Sequence, residues 1–185
     1  MESLVSYLFA AMLAWVPAQA HAPLETRDQA MQRYESIARD AASVALDDNE
    51  QPLFEGQDGR AQTAVFMLAI ASYESSFNKQ VDEGSRRGDH GNSYCLMQIR
   101  VGLGATREGW SGRQLTEDRK RCFRSALHLL QASFSACRNL PLDDRMSAYA
   151  SGHCYPNGNV SRIRAGRARA WWETHALPKA TGDET

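Results

Sequence analysis

Blocks of apolar residues recur along the chain and predict a mainly helical protein. The central block, residues 64–71, carries no charged side chain, and neither Gly nor Pro interrupts residues 61–77. Good helix formers that are apolar on every face are typical of a helix buried inside a core. Glu74 follows this block directly, three residues before Phe77. We therefore expect a buried helix that delivers one carboxylate into a cleft.

Further helices are predicted on both sides of this central one. Residues 24–51 repeat apolar side chains at steps of three and four, and residues 116–137 do the same after a possible cap at Thr116. Residues 143–151 favour a short helix and residues 161–175 a last long one. No segment shows a convincing strand pattern, so the fold class expected is mainly α.

The environment expected for Glu74 would raise its pKa. Ile70 lies four residues before it and Phe77 three after it, so both share its face of the helix. Burial there, and the negative end of the helix dipole, would both disfavour the ionised carboxylate. A general acid needs such a raised pKa near neutral pH. The alternative is a glutamate at a helix end with its carboxylate in solvent.

A long polar loop is expected after the central helix, over residues 78–94. Loops of this length in compact domains are often functional. Asp82 and Asp89 lie within it and are candidates for positioning a water molecule near Glu74. The alternative is that these two acids pair with the neighbouring arginines, Arg86 and Arg87.

The N-terminal segment resembles an export signal. Residues 4–16 are apolar except for Ser6, and Pro17 ends the run. That length suits the hydrophobic part of a signal peptide better than a membrane span, and residues 18–22 offer small-x-small cleavage patterns. The segment before the run holds Glu2 and no basic residue, which departs from the usual signal. An uncleaved anchor or membrane-inserting segment is the alternative.

The four cysteines, Cys95, Cys122, Cys137 and Cys154, predict two disulfides in an oxidising compartment. No pair has the C-x-x-C spacing of a zinc or redox motif, so neither a metal nor another cofactor is expected. If Cys122 and Cys137 lie on one helix, they are about 22 Å apart and cannot bridge each other. The pairing stays open, and we favour Cys122 with Cys154 and Cys95 with Cys137.

Charge is distributed unevenly along the chain, although the formal net charge is −1. Residues 1–59 carry 3 Lys and Arg against 10 Asp and Glu, residues 60–172 carry 17 against 9, and residues 173–185 carry 1 against 3. A basic domain behind an acidic leader suits a polyanionic partner, such as a bacterial wall, an anionic membrane or nucleic acid. The alternative is a mixed-charge surface without a target.

Three short motifs in sequence order resemble the soluble lytic transglycosylase family, which shares the goose-type lysozyme fold. They are ESSF at 74–77, LMQI at 96–99 and AYASG at 148–152. The resemblance spans residues 61–172 and implies a lysozyme-like helical domain that cleaves the peptidoglycan glycan strand. The expected organisation places a signal peptide or apolar segment at 1–22, an acidic helix and loop at 23–60, the catalytic domain at 61–175 and a polar tail at 176–185.

The resemblance also implies roles for single residues. Glu74 would be the catalytic acid and base, and the remaining positions implied to contact or support the sugar are Ser75, Met97, Gln98 and Tyr149. Two positions depart from the family pattern. Cys95 stands where the family usually has Gly, at a cost in backbone freedom, and Ala150 stands where it usually has Asn.

A transglycosylase needs no second carboxylate, because groups of the substrate itself replace it. The sequence does not identify a second catalytic acid. A goose-type lysozyme would hydrolyse the same bond with water held by Asp82 or Asp89.

The remaining alternatives are a wall-binding module without turnover and an exported nucleic-acid-binding protein, whose DNA affinity would fall steeply with salt. We expect peptidoglycan as partner and no nucleic acid, with membrane contact through an uncleaved N-terminal segment alone. An exported protein of this kind is periplasmic or extracellular, and could serve wall remodelling, a secretion or conjugation machine, or a phage virion.

Overall fold

The computed structural model describes residues 1–18, 25–155 and 159–178. Within these ranges the protein is mainly helical, as the sequence predicts, with eight α-helices and one two-stranded hairpin. The helices are α1 Glu2–Trp15, α2 Arg27–Ala45, α3 Gly59–Glu74, α4 Lys79–Asp82, α5 Gly112–Glu117, α6 Arg119–Ala136, α7 Ser147–Ser151 and α8 Asn159–Thr174, and the strands are β1 Ser93–Tyr94 and β2 Ile99–Arg100.

Helix α3 is the centre of the core. Every residue from Thr63 to Ser72 is buried, because α1, α2, α6 and α8 all pack against this helix. The absence of a polar face in its sequence is what allows burial on all sides. The prediction of a fully buried helix that ends in an acid is confirmed, since α3 ends at Glu74.

The apolar N-terminal segment forms α1 and packs into the same core. Leu8, Ala11 and Met12 have no exposed surface, and α1 lies against α2 and α3. The predicted cleavage positions at 18–22 fall almost entirely outside the described residues. Among the helices that the structure describes, none is long and apolar enough to cross a membrane. Segments 1–22 and 23–60 thus supply part of one hydrophobic core together with residues 61–175.

The region predicted as one helix from Thr116 is two helices with a break between them. Asp118 has an extended backbone, and its side chain accepts hydrogen bonds from the N–H groups of Lys120 and Arg121 at the start of α6. An Asp in this geometry is an N-cap and begins a new helix. The predicted cap at Thr116 is therefore wrong.

A tight hairpin replaces part of the predicted loop and the apolar run after it. Strands β1 and β2 pair antiparallel, although no strand was expected. In the turn between them, Cys95 and Gln98 have positive φ values of 58° and 49°. A glycine would adopt this backbone without strain, which explains physically why Cys95 is costly at this position. Ahead of the hairpin, Asn78 caps the short helix α4.

The two disulfides join Cys95 to Cys122 and Cys137 to Cys154. The favoured pairing of Cys122 with Cys154 was therefore wrong, although Cys122 and Cys137 lie near opposite ends of α6, as expected. The first disulfide joins the hairpin turn to the first turn of α6. The second joins the C-terminal end of α6 to the segment that follows α7. Two disulfides fit a protein exported to an oxidising compartment.

Candidate functional site

A cleft of about 390 Å³ opens at the C-terminal end of α3. One wall is the end of this helix and the turn after it, and the other is formed by α4, the following loop and the hairpin turn. The residues that line it are Tyr73, Glu74, Ser75, Ser76, Asn78, Val81, Arg86, Arg87, Gly88 and Gln98. Among the described residues, Glu74 is the only carboxylate in this lining.

Glu74 is held where cleft and core meet. Its side chain is 18% exposed, and its Oε1 lies 2.9 Å from Nη2 of Arg164 in α8. Burial raises the pKa of Glu74, and the positive charge of Arg164 opposes that rise without cancelling it. The direction agrees with the sequence-based expectation, and a carboxyl with a raised pKa in a cleft is suited to donate a proton.

The chain turns sharply after Glu74, so that the cleft wall is formed by successive residues. Ser76 and Phe77 both have a φ of 50°. The buried side chain of Arg33 fixes this turn from α2, because its Nη1 donates to the carbonyl of Phe77 at 2.7 Å. Glu25 forms an ion pair with the same guanidinium at 2.6 Å. The side chain of Phe77 fills the core and has no exposed surface.

Gln98 faces the cleft from the hairpin turn, as the resemblance implies. Its Nε2 donates to the carbonyl of Cys95 at 3.0 Å, which leaves the amide oxygen on the side of Gly88. A Cβ added at Gly88 would lie 1.9 Å from that oxygen. Glycine is therefore required at position 88 for Gln98 to keep its place in the wall.

Of the other residues implied to contact or support the sugar, Ser75 lines the cleft, whereas Met97 and Tyr149 are not part of its lining. Met97 is fully buried, and its carbonyl accepts a 2.8 Å hydrogen bond from the hydroxyl of Tyr149. Burial and then the charge of Glu74 raise the pKa of Tyr149, so that the phenol stays a donor. Ser75 lines the cleft, and its hydroxyl donates to the carbonyl of Ala71. Thus Met97 supports the wall from within the core, and the half-buried Tyr149 packs against the core and holds the backbone of Met97.

Asp82 is not available to position a water molecule. Its side chain is 2% exposed and pairs with Arg119 of α6 through contacts of 2.7 and 2.9 Å. Asp89 pairs at 3.0 Å with Arg100 of β2 and does not line the cleft, although it directly follows Gly88, which does. The expected pairing of these acids with Arg86 and Arg87 is therefore also wrong.

Two arginines of α8 complete the site and were missed at the sequence level. Arg164 contacts Glu74, and Arg167 donates to the hydroxyl of Ser72 at 2.7 Å while its guanidinium lies 3.9 Å from the ring centre of Tyr73. The sequence predicts the helix at 161–175 but does not by itself show that its arginines reach Glu74. Arg164 and Arg167 are three residues apart and therefore share one face of α8. This spacing was the sequence signal that both side chains could face the same neighbouring helix.

A larger cavity of about 540 Å³ is lined by residues of α3, of α8 and of the segments that precede α3 and α7. Its aromatic lining includes Phe54, Phe66 and Trp172, and Arg169 in its wall forms an ion pair with Asp143. None of its lining residues belongs to the three predicted motifs, whereas two of the motifs supply Glu74, Ser75, Ser76 and Gln98 to the smaller cleft. We therefore assign the candidate active site to the smaller cleft.

Comparisons with family models, with curated proteins and with solved structures give no match to this chain. Within the described residues, no group of three or more His, Cys, Asp or Glu side chains is placed to hold a metal ion. Any assignment of function therefore rests on the residues of the cleft and their chemistry.

Proposed function

We propose that the protein is a peptidoglycan lytic transglycosylase with a lysozyme-like helical fold, in which Glu74 is both general acid and general base. The observation that carries the proposal is the single carboxylate of the cleft, partly buried and with a raised pKa. Most glycosidases need two carboxylates that flank the scissile bond. A cleft lined by one carboxylate favours a reaction in which the substrate supplies the second group.

The reaction begins with protonated Glu74, which donates its proton to the oxygen that joins N-acetylmuramic acid to N-acetylglucosamine. As that bond breaks, positive charge develops at C1 of the muramic sugar, and its own acetamido group stabilises the charge. The C6 hydroxyl of the same sugar then attacks C1, and ionised Glu74 takes the hydroxyl proton. The product is 1,6-anhydro-N-acetylmuramic acid, and no water is consumed.

The remaining cleft residues suit this substrate. Gln98 offers an amide oxygen and Asn78 a polar side chain to sugar hydroxyl and acetamido groups, while Tyr73 gives an aromatic face at the rim. Arg86 and Arg87 supply positive charge at the mouth. The peptide stems of peptidoglycan carry carboxylates, which guanidinium groups bind well.

The deciding experiment is digestion of purified peptidoglycan with the full chain, followed by mass spectrometry of the released fragments. The full chain is needed because α1 forms part of the core. Fragments one water lighter than the hydrolysed disaccharide-peptide support the proposal. The matched control is Glu74→Gln, which keeps shape but cannot donate a proton. If the unmodified protein binds peptidoglycan but does not cleave it, the protein is a wall-binding module.

A hydrolase of the same bond is the second candidate, because Asp89 follows the cleft-lining Gly88 and has a left-handed backbone with a φ of 48°. Release of Asp89 from Arg100 would place a second carboxylate near the mouth of the cleft. Products with a free reducing end, and their loss in Asp89→Asn, would establish the hydrolase. Anhydro products that Asp89→Asn still makes would exclude it.

A further inference from the structure

Arg164 lies behind Glu74, on the side of the carboxylate that faces the core. Its side chain is 15% exposed, its Nη2 is 2.9 Å from Oε1 of Glu74, and it does not line the cleft. Both side chains of the pair are less than one-fifth exposed, so that neither is surrounded by solvent. The ion pair is thus a fixed part of the wall and not a contact that solvent provides.

The guanidinium is incompletely bound, which is unusual for a buried arginine. Its Nη1 is buried and has no hydrogen-bond partner. A buried polar group without a partner lowers stability, so an apolar side chain would suit this position better if packing were its only role. The contact with Glu74 is therefore the interaction that accounts for an arginine at position 164.

Among the residues that the structure describes, Arg164 is the cation that forms an ion pair with Glu74. Arg167, one turn further along α8, donates to Ser72 and covers Tyr73. On α7, Tyr149 is neutral and donates to a backbone carbonyl, and in the cleft loop Arg87 lies over the ring of Tyr94, 4.8 Å from its centre. Arg86 lines the cleft mouth and is exposed. Of the charged groups that face Glu74 from these elements, only Arg164 forms an ion pair with it.

We propose that Arg164 is a positioning residue that fixes the Glu74 carboxyl and sets the pH at which Glu74 changes from proton donor to proton acceptor. The inference rests on the proposed function, in which one carboxyl must first give a proton and then take one. Burial alone would favour the protonated form and impair the second step, whereas the fixed positive charge favours the ionised form. The balance between the two makes a single acid sufficient.

The first test is the pH profile of wall cleavage by the full-length Arg164→Gln and Arg164→Lys variants. Opposite charges at this distance shift a carboxyl pKa by about 1 to 3 units. Arg164→Gln should therefore move the alkaline limb upward by about 1 unit or more, and Arg164→Lys, which keeps the charge, should return it most of the way. Arg169→Gln is the matched control on the same helix, because Arg169 pairs with Asp143 and not with Glu74.

The second test does not depend on catalysis. The Glu74 carboxyl is titrated by carbon-13 NMR in the full-length protein and in Arg164→Gln, with Glu74→Gln to assign the signal. A higher Glu74 pKa in Arg164→Gln supports the inference even if no wall is cleaved, in which case the proposed function alone fails. An unchanged pKa overturns the inference even if the wall is cleaved. Should Arg164→Gln not fold, Arg164→Met, which suits a buried site, replaces it in both tests.

Discussion

Two buried pairs of an acid with an arginine differ in how completely they are bound. Arg119 grips Asp82 through two nitrogens, at 2.7 and 2.9 Å, and its Nη1 also donates to Ser36. Arg164 reaches Glu74 through one nitrogen and leaves the other without a partner. Asp82 has no place in the candidate cleft, whereas Glu74 lines it.

This difference separates a pair that stabilises the fold from a pair that is suited to chemistry. A two-point arginine–carboxylate contact fixes both geometry and charge, and it ties α4 to α6. A one-point contact leaves one carboxylate oxygen for a ligand, and burial can then raise the pKa of that acid. Incomplete binding at Glu74 is thus the feature that marks it as a candidate catalytic residue.

The largest expected effect is the loss of wall cleavage in Glu74→Gln. A general acid contributes about 100-fold to 10,000-fold to rate, so the variant should fall by at least about 100-fold. The measurement is the rate of soluble fragment release from purified peptidoglycan. An unchanged melting temperature is the control, and cleavage at the unmodified rate would rule Glu74 out as the acid.

Asp82→Asn should give the opposite result, a loss of stability with the chemistry intact. Loss of the Asp82 charge leaves Arg119 with Asp40, at 3.3 Å, as its remaining ionic partner, and should cost about 1.5 to 3 kcal/mol in the free energy of unfolding. Urea unfolding of the variant beside the unmodified chain measures this. At a temperature where the variant is folded, it should cleave wall. If Asp82→Asn were stable but inactive, the division between the two pairs would be wrong.

The two disulfides extend the comparison to the covalent framework. Cys95–Cys122 anchors the hairpin turn that carries Gln98, whereas Cys137–Cys154 closes the chain around α7. Removal of either, as a double Ser variant, should cost about 3 kcal/mol in stability. The loss of Cys95–Cys122 should in addition weaken wall binding, because the positive φ of Cys95 is then held less firmly. Peptide mapping under non-reducing conditions checks the pairing, and equal binding by both variants would contradict the distinction.

The smallest effect concerns a third acid, Glu108, whose pKa moves opposite to that of Glu74. Burial would raise this pKa, but hydrogen bonds from Thr106, His128 and Ser125 hold it at about 2. Burial has the opposite effect on His128 and would lower its pKa. The bonds of His128 to Glu108 and Glu50, at 2.5 and 2.9 Å, outweigh burial, so that the pKa of His128 is raised overall. The ion pair between Glu108 and His128 therefore stabilises the fold fully between about pH 4.3 and 6.5, which are the pKa values of Glu and His in the unfolded chain.

Above that window, stability is lost as pH rises through the folded pKa of His128, and below it as pH falls toward about 2. His128→Gln should therefore cost about 1 to 2 kcal/mol near pH 5.5 and progressively less above pH 7. Urea unfolding over pH 5 to 9 measures this. Gln131→Ala, which removes the bond from Gln131 to the carbonyl of Gln51, is the non-titrating control with a constant cost. A cost for His128→Gln that is equally constant would contradict the charged interaction.

Features that depend on local pattern could be predicted without the structure. The apolar run before Glu74 predicts a helix that is buried on all sides, and the position of Glu74 at the end of that helix favours a partly desolvated carboxyl. The even number of cysteines predicted two disulfides. The helix boundary at Asp118 was equally local, since an Asp before a helical pattern is a cap, and it was overlooked rather than undeterminable.

Contacts between residues that are distant in sequence could be read from the folded chain alone. The partner of Glu74 lies in α8, and the partners of the four cysteines depend on where the hairpin turn and the segment after α7 pack on α6. Sequence spacing constrains contacts within one helix, but contacts between helices depend on how all their apolar faces are buried together. For that reason the acid was readable from the sequence, and the arginine that balances it was not.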